Sequence, residues 1–406
     1  MRVGWILAAG LLLAGHQAAA VDEQPGQRYE VRPDRLPAPY ATPSVGNAPS
    51  RVRRPADATL RVPSGFKVNI FADGLTHARW MTVAANGDVL LAEPRDGKIT
   101  LLRDADKDGR AELVTTFASG FDRPHGLAIQ GDHLYVGDEG EVYRLRYRPG
   151  DTKASGEREL VGARGALAPG GGHWTRNIAF RPDGSRYYVA VGSASNIDEE
   201  PPPRATVQEF KADGSGQRTF ASGLRNPVGI AFYPGTSDLY VVVNERDGLG
   251  DGLVPDYLTR VQEGGFYGWP YAYIGPNPQP DYAERLPDLV RKTLVPDLLF
   301  EAHSAPLGLV FYDGAQFPVA YKGGAFVALH GSWNSGKPTG YKVVFVPFRD
   351  RRPIGYYENF AVGFWAAGER RAQVWGRPAG LAIAADGSLL IADDVGQTIW
   401  RVSYGG

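Results

Sequence analysis

The chain has 406 residues, 43% of them hydrophobic, with 44 Lys and Arg against 45 Asp and Glu, 52 Gly, 31 Pro and no Cys. The net charge of −1 gives no support for a nucleic-acid partner, and the absence of cysteine excludes disulfides. This length and turn-rich composition suit one long all-β domain as well as two smaller ones.

The first twenty residues, MRVGWILAAGLLLAGHQAAA, place Arg2 before an apolar core from Trp5 to Ala14 and end in Ala18, Ala19 and Ala20. That is the pattern of a secretory signal cut after Ala20. About ten apolar residues are too few to span a bilayer, so no membrane span is expected after cleavage. His16 stands where a lipoprotein signal would carry its cysteine. A periplasmic or secreted protein is therefore expected. Residues 21–57 hold prolines every few positions without an apolar period, which predicts extended coil on the surface or disorder. The RVRR tract within them reads as solvated linker charge and receives no function.

From residue 58 onward the text changes to short apolar runs broken by Gly, Asp and Asn. One unit recurs: a polar head, a strand such as GLAI, a D-G or N-G turn, a second strand such as LYVGD, a loop, and a third strand. Copies begin at Arg79, Arg123, His173, Arg225, His303 and Arg377. Six such copies predict an all-β, six-bladed β-propeller over 58–406. The last copy supplies three strands, and the strand-like run ATLRVPSGFKVNIFADGL before the first copy is predicted to complete it beside TIWRVS. Insertions at about 250–300 and 334–376 are expected to decorate the functional rim.

Strand alternation puts the six heads and the six second-strand ends on one rim. The heads bring Arg79, Arg123, His125, His173, Arg176, Arg225, Asn226, His303 and Arg377; the ends bring Glu93, Asp138, Glu139, Ser193, Glu245, Arg246, Asp247, His330, Asp393 and Asp394. Guanidinium forks match carboxylates and stack on rings, so this ring suits a planar polyanion together with a divalent cation. The alternative for each arginine is that it ties one blade to the next through backbone carbonyls. Elsewhere, Asp104, Asp106, Asp108, Gly109 and Glu112 form D-x-D-x-D-G, the front half of a calcium loop. Thr115 occupies the position of the bidentate Glu, so an EF-hand is rejected. Either a calcium loop or an Asp-rich hairpin turn remains.

The motifs HWTRNIAFRPDG, GLRNPVGIAF, NERDGLGD with FYGWP, ALHGSWN and GRPAGLAI resemble those of soluble aldose dehydrogenases dependent on pyrroloquinoline quinone (PQQ), and more closely their L-sorbosone dehydrogenase-like branch. The resemblance covers roughly residues 58–405. It implies His173 as general base, Arg225 and Asn226 as holders of the quinone oxygens, and Arg377 as the grip on a PQQ carboxylate. It also implies backbone carbonyls of Asp247 and Gly248 as ligands of a calcium ion on PQQ, and matches Asp256 and the Tyr267 carbonyl to a second calcium. With the rim reading, Arg123, His125, His303 and His330 join the candidate cofactor-binding set. Ser193 stands where glucose-type enzymes orient the base with a carboxylate, and His330 where they carry a lysine; both departures argue against glucose. The resemblance thus implies a sugar dehydrogenase using PQQ and Ca²⁺ and passing electrons to a cytochrome or quinone. The competing readings are a calcium-dependent hydrolase of the lactonase kind and a propeller that only binds.

Overall fold

A computed structural model describes residues 23–405. The expected secretory signal lies outside the described residues. Six antiparallel sheets follow one another along the chain. The first runs Trp80–Val83, Val89–Glu93, Lys98–Arg103 and Leu113–Ser119; the second Gly126–Gln130, His133–Gly137, Val142–Arg146 and Ser155–Val161. The third runs Ile178–Phe180, Arg186–Val191, Thr206–Lys211 and Arg218–Ser222, and the fourth Asn226–Phe232, Leu239–Asn244, Pro255–Arg260 and Leu298–Ala302. The fifth holds Pro306–Phe311, Ala325–Leu329, Lys342–Val346 and Tyr357–Ala361, and the sixth Pro378–Ile383, Leu389–Asp393 and Thr398–Tyr404. Phe66–Ala72 pairs antiparallel with Thr398–Tyr404 as the fourth strand of the sixth sheet, at the place expected.

The packing follows from strands buried on both faces. In the fourth sheet Val241 and Val243 enter a cluster with Tyr188 and Ala190 of the third sheet, while Tyr240 and Val242 enter a cluster with Leu309 and Val327 of the fifth. Alternate residues thus serve opposite neighbours, which is why LYVVV shows no polar face. The same arrangement recurs between every consecutive pair of sheets, and Leu390 and Ala392 of the sixth sheet pack on Met81 and Leu91 of the first. First strands also meet their neighbours. A Cβ on Gly229 would lie 2.8 Å from the Leu307 carbonyl oxygen, and one on Gly380 would lie 2.1 Å from that of Arg79. Glycine in the repeated GLAI-type strand therefore permits close backbone approach between sheets. The architecture is all-β and consistent with a β-propeller.

Residues 23–57 do not hang free. Arg28–Tyr29 adds a fifth strand to the fifth sheet, and Ser50–Arg51 pairs parallel with Gln373–Val374. The long insertion of the fourth sheet, carrying the short helix Pro287–Arg291, reaches the rim where Trp269 donates its indole N–H to the Asn196 carbonyl at 3.1 Å. No helix among the described residues is long and apolar enough to cross a membrane.

Candidate active site at the strand mouths

The heads and second-strand ends meet as the alternation requires. His173 lies partly exposed before the first strand of the third sheet. Its Nδ1 is 2.8 Å from the Ser193 carbonyl and 3.1 Å from Ser193 Oγ. A carbonyl only accepts, so Nδ1 carries the proton and Nε2 keeps the lone pair. Burial, then the Arg225 charge, lowers the imidazole pKa to about 3, so the ring is neutral near pH 7. The turn presenting Ser193 is itself fixed: Ser193 Oγ donates to the Ser195 carbonyl at 2.7 Å. Glu200 accepts from the backbone N–H groups of Ala194 and Ser195 and from Ser195 Oγ, each at 2.7 Å. A serine turn clamped by Glu200 thus replaces the expected orienting carboxylate. A Cβ on Gly192 would come within 2.4 Å of Asn226 Oδ1 and 2.6 Å of His173 Cβ, so this glycine lets base and amide sit side by side. That Asn226 oxygen is buried without a hydrogen-bond partner.

The arginines divide into two kinds. Arg176, fully buried, donates to the carbonyls of Leu167, His173, Thr175 and Ala168. Arg225 donates to the carbonyls of Asn196, Asn244 and Glu245 and to Asn196 Oδ1. For Arg176, and for most of the donors of Arg225, tying the backbone is what the contacts amount to. Others reach a cavity, although Arg377 also donates to the His330 and Gly331 carbonyls and Arg123 pairs with Glu139 at 3.1 Å. Arg51, Arg79, Arg95, Arg123 and Arg377 line one cavity of about 420 Å³ with His77, Trp174, His330 and the single carboxylate of Asp394. Arg123 and Arg79 lie over the Trp174 ring, 4.4 and 5.3 Å from its centroid. Asp394 accepts from Arg79 at 2.7 Å and from His330 Nε2 at 3.0 Å. Burial, then the Arg377 charge, lowers the His330 pKa to about 3. Arg79 Nε and His77 Nδ1 are buried without partners. His125 lies beneath, its ring 5.2 Å from that of Trp174 and its Nδ1 2.7 Å from Asn177 Oδ1.

Asp247, Gly248 and His303 line a second, smaller cavity of about 220 Å³ with Ser44, Asn196 and Asn334. His303 Nδ1 lies 3.1 Å from Asp247 Oδ1. The Asp247 carbonyl, expected on calcium, already accepts from Asn196 Nδ2 at 3.0 Å and Arg246 Nε at 2.9 Å. Asp256 is buried under the N–H groups of Glu245 and Ala305, and burial raises its pKa to about 6. Tyr267 belongs to the apolar cluster between the third and fourth sheets, its hydroxyl donating to the Arg260 carbonyl. The structure therefore brings Asp247 and Gly248 to the mouth, while the Asp256 carboxylate is taken up by backbone N–H groups. Asp104, Asp106, Asp108 and Glu112 do converge, with ligand atoms within 4.8 Å of one another. They lie between the third and fourth strands of the first sheet, at the end away from the mouth. Their carboxylates accept from the N–H groups of Ala105, Asp108, Gly109 and Arg110, as in a self-satisfied Asp-rich turn. Among the described residues no other His, Asp and Glu group of this kind occurs. No such cluster of three His, Asp or Glu side chains lies at the mouth among the described residues.

Sequence reasoning missed His77, Arg95, Trp174 and Arg51 as lining residues. Trp174 stood in plain view within HWTR, and His77 two residues before the first head.

The all-β sheets, with arginines and an aromatic ring at their mouth, are consistent with a β-propeller. The family model described as TrAA12-like matches residues 60–254 and 290–405, and the chain belongs to that family. It is 26% identical over 343 residues to the pyrroloquinoline quinone-dependent pyranose dehydrogenase of Coprinopsis cinerea, covering 71% of this chain and 45% of that protein. The chain thus spans less than half the length of that relative. The holo PQQ domain of the Coprinopsis cinerea pyranose dehydrogenase superposes with a TM-score of 0.71 at 21% identity, over 88% of this chain and 99% of the domain. The calcium structure of the Trichoderma reesei family AA12 enzyme gives 0.69 at 19% identity, over 87% and 98%. At these identities the structures establish the shared fold.

Proposed function

We propose that the chain is a quinoprotein sugar dehydrogenase, built as a closed six-bladed propeller, that oxidises a pyranose or sorbosone-like sugar. The observation that carries this reading is the cavity of five arginines around Trp174 and one carboxylate. Its buried, unpartnered Arg79 Nε is a donor without an acceptor. Like charges held together cost free energy unless an anion joins them, and a planar aromatic polycarboxylate satisfies both the forks and the ring. These residues fit PQQ. When bound, that cofactor supplies the two-electron acceptor for the sugar's hydride.

The chain's own part is acid–base and positional. His173 takes up a proton from a sugar hydroxyl at Nε2, while Ser193 and the Glu200-clamped turn hold the tautomer that leaves this nitrogen free. Asn226, beside it, offers an unpartnered amide oxygen, and the arginines balance negative charge. No step is assigned to calcium, because the Asp247 carbonyl is already engaged. The leader-like first twenty residues support a periplasmic or secreted location, with a cytochrome or quinone as electron acceptor.

The test is to titrate the purified protein with PQQ, with and without Ca²⁺, and to follow dye reduction with a panel of aldoses and ketoaldoses. Dye reduction that needs PQQ is expected. Calorimetry that finds no PQQ binding in the presence of Ca²⁺ ends the quinoprotein reading.

A further inference from the structure

The N-terminal segment precedes the first residue of the family match, yet it enters both cavities, with Ser44 and Val45 in the smaller one and Arg51 in the larger. The sequence suggested that Arg51 is solvated linker charge; the residue is exposed, but the structure fixes its backbone and sets it at the edge of the cavity. Ser50–Arg51 is a short strand, parallel to Gln373–Val374, with the Ser50 and Val52 N–H groups donating to Ala372 and Val374 at 2.8 and 2.9 Å. Asn47 Nδ2 donates to the Ser335 and Arg370 carbonyls, and Arg371 Nε donates to Ala48 at 2.9 Å. Extended backbone sends successive side chains to opposite sides. Val52 packs on the apolar cluster between the fifth and sixth sheets, so Arg51 is turned the other way, into the cavity. Among the described residues its guanidinium has no hydrogen-bond or ion-pair partner, and it adds to positive charge already supplied by Arg79 and Arg377. Arg53, two residues on and exposed like Arg51, lines neither cavity.

We infer that this segment is an arm that completes the anion site, with Arg51 as a ligand of a carboxylate on a planar aromatic polycarboxylate. The inference deepens the quinoprotein reading and rests on it for the identity of the ligand. An arginine whose backbone is fixed on a strand has only its side chain left to order when it meets the anion, which is what distinguishes it from a charge on a free linker.

The experiment is calorimetric titration of the whole protein with PQQ and, separately, with benzene-1,3,5-tricarboxylate, for wild type, Arg51→Ala, Arg51→Lys and Arg53→Ala. Arg51→Ala is expected to raise the PQQ Kd about tenfold, as loss of a charge-assisted hydrogen bond would, with Arg51→Lys between it and wild type. Arg53→Ala, which removes the same charge outside the cavity, is expected to stay near wild type. Wild-type PQQ binding with Arg51→Ala unchanged, or no weaker than Arg53→Ala, overturns the role of the arm and leaves the quinoprotein reading standing. Binding of the tricarboxylate alone, with the same dependence on Arg51, upholds the arm and sinks the quinone ligand. Binding of neither overturns both.

Discussion

At the scale of single residues, the base is decided by which imidazole nitrogen is left free. His173 has Nδ1 on a carbonyl and His330 has Nε2 on Asp394, so each is a neutral ring with one lone pair available. His173 adjoins Asn226 through Gly192, whereas His330 shares its carboxylate with Arg79 and His77. In the PQQ-loaded protein His173→Ala is expected to lower turnover about 10²–10⁴-fold, the usual worth of a positioned base, with PQQ affinity kept. With a folded pKa of about 3, His173 stays deprotonated from neutral pH down to about that value. Loss of kcat/KM through this group therefore belongs far below the ordinary histidine range. An acid limb near pH 6.5 that His173→Ala abolishes would contradict this, as would wild-type turnover in His173→Ala with an inactive His330→Ala. The sequence placed these histidines on one rim because strand alternation requires it. It could not show that a serine carbonyl, held by Glu200 seven residues downstream, takes the role of the missing carboxylate. That contact depends on the shape of the 193–200 turn, and turn shape leaves no periodic signal. His77 escaped for a related reason: it sits at a positive φ of 56°, in irregular backbone ahead of the first repeat.

At the scale of elements, the repeat unit was legible because its apolar periods and its glycine have one cause, burial on both faces and close approach at the inner strand. The joining strand Phe66–Ala72 was legible for the same reason, as a strand without a sheet in a chain whose last sheet lacked one. Its anchor is aromatic. Phe66 meets Phe317, Tyr321, Phe360 and Tyr404 edge-on, with ring centroids 4.8 to 5.3 Å apart. Since Phe66 is only partly buried, Phe66→Ala is expected to cost about 2–3 kcal/mol, below the range for a fully buried ring. Amide exchange in both Phe66–Ala72 and Thr398–Tyr404 should speed up together. Faster exchange confined to the first strand would mean that it does not lock the sixth sheet.

At the scale of the whole molecule, the arm from residue 23 to residue 57 was the least legible part, because prolines and scattered charge read as linker whether or not a surface waits to receive them. Its far end is anchored by a buried ion pair. Lys342, 1% exposed, donates to Glu23 Oε1 at 2.8 Å and to the Tyr29 hydroxyl at 3.2 Å, and lies over the Tyr29 ring at 4.3 Å. Arg61 adds a hydrogen bond to the Glu23 carbonyl at 2.8 Å. A buried pair contributes little over a well-packed apolar pair, but removing one partner strands the other charge away from water. Glu23→Ala is therefore expected to destabilise the fold by about 3 kcal/mol or to release the arm so that Lys342 can reach solvent. Lys342→Met in the same chain should recover most of that loss, because the stranded ammonium is gone. Denaturant melts of the two single variants and the double variant decide it. If the double variant loses as much as the two singles added together, the pair is not coupled, and the arm is held by its backbone pairing alone.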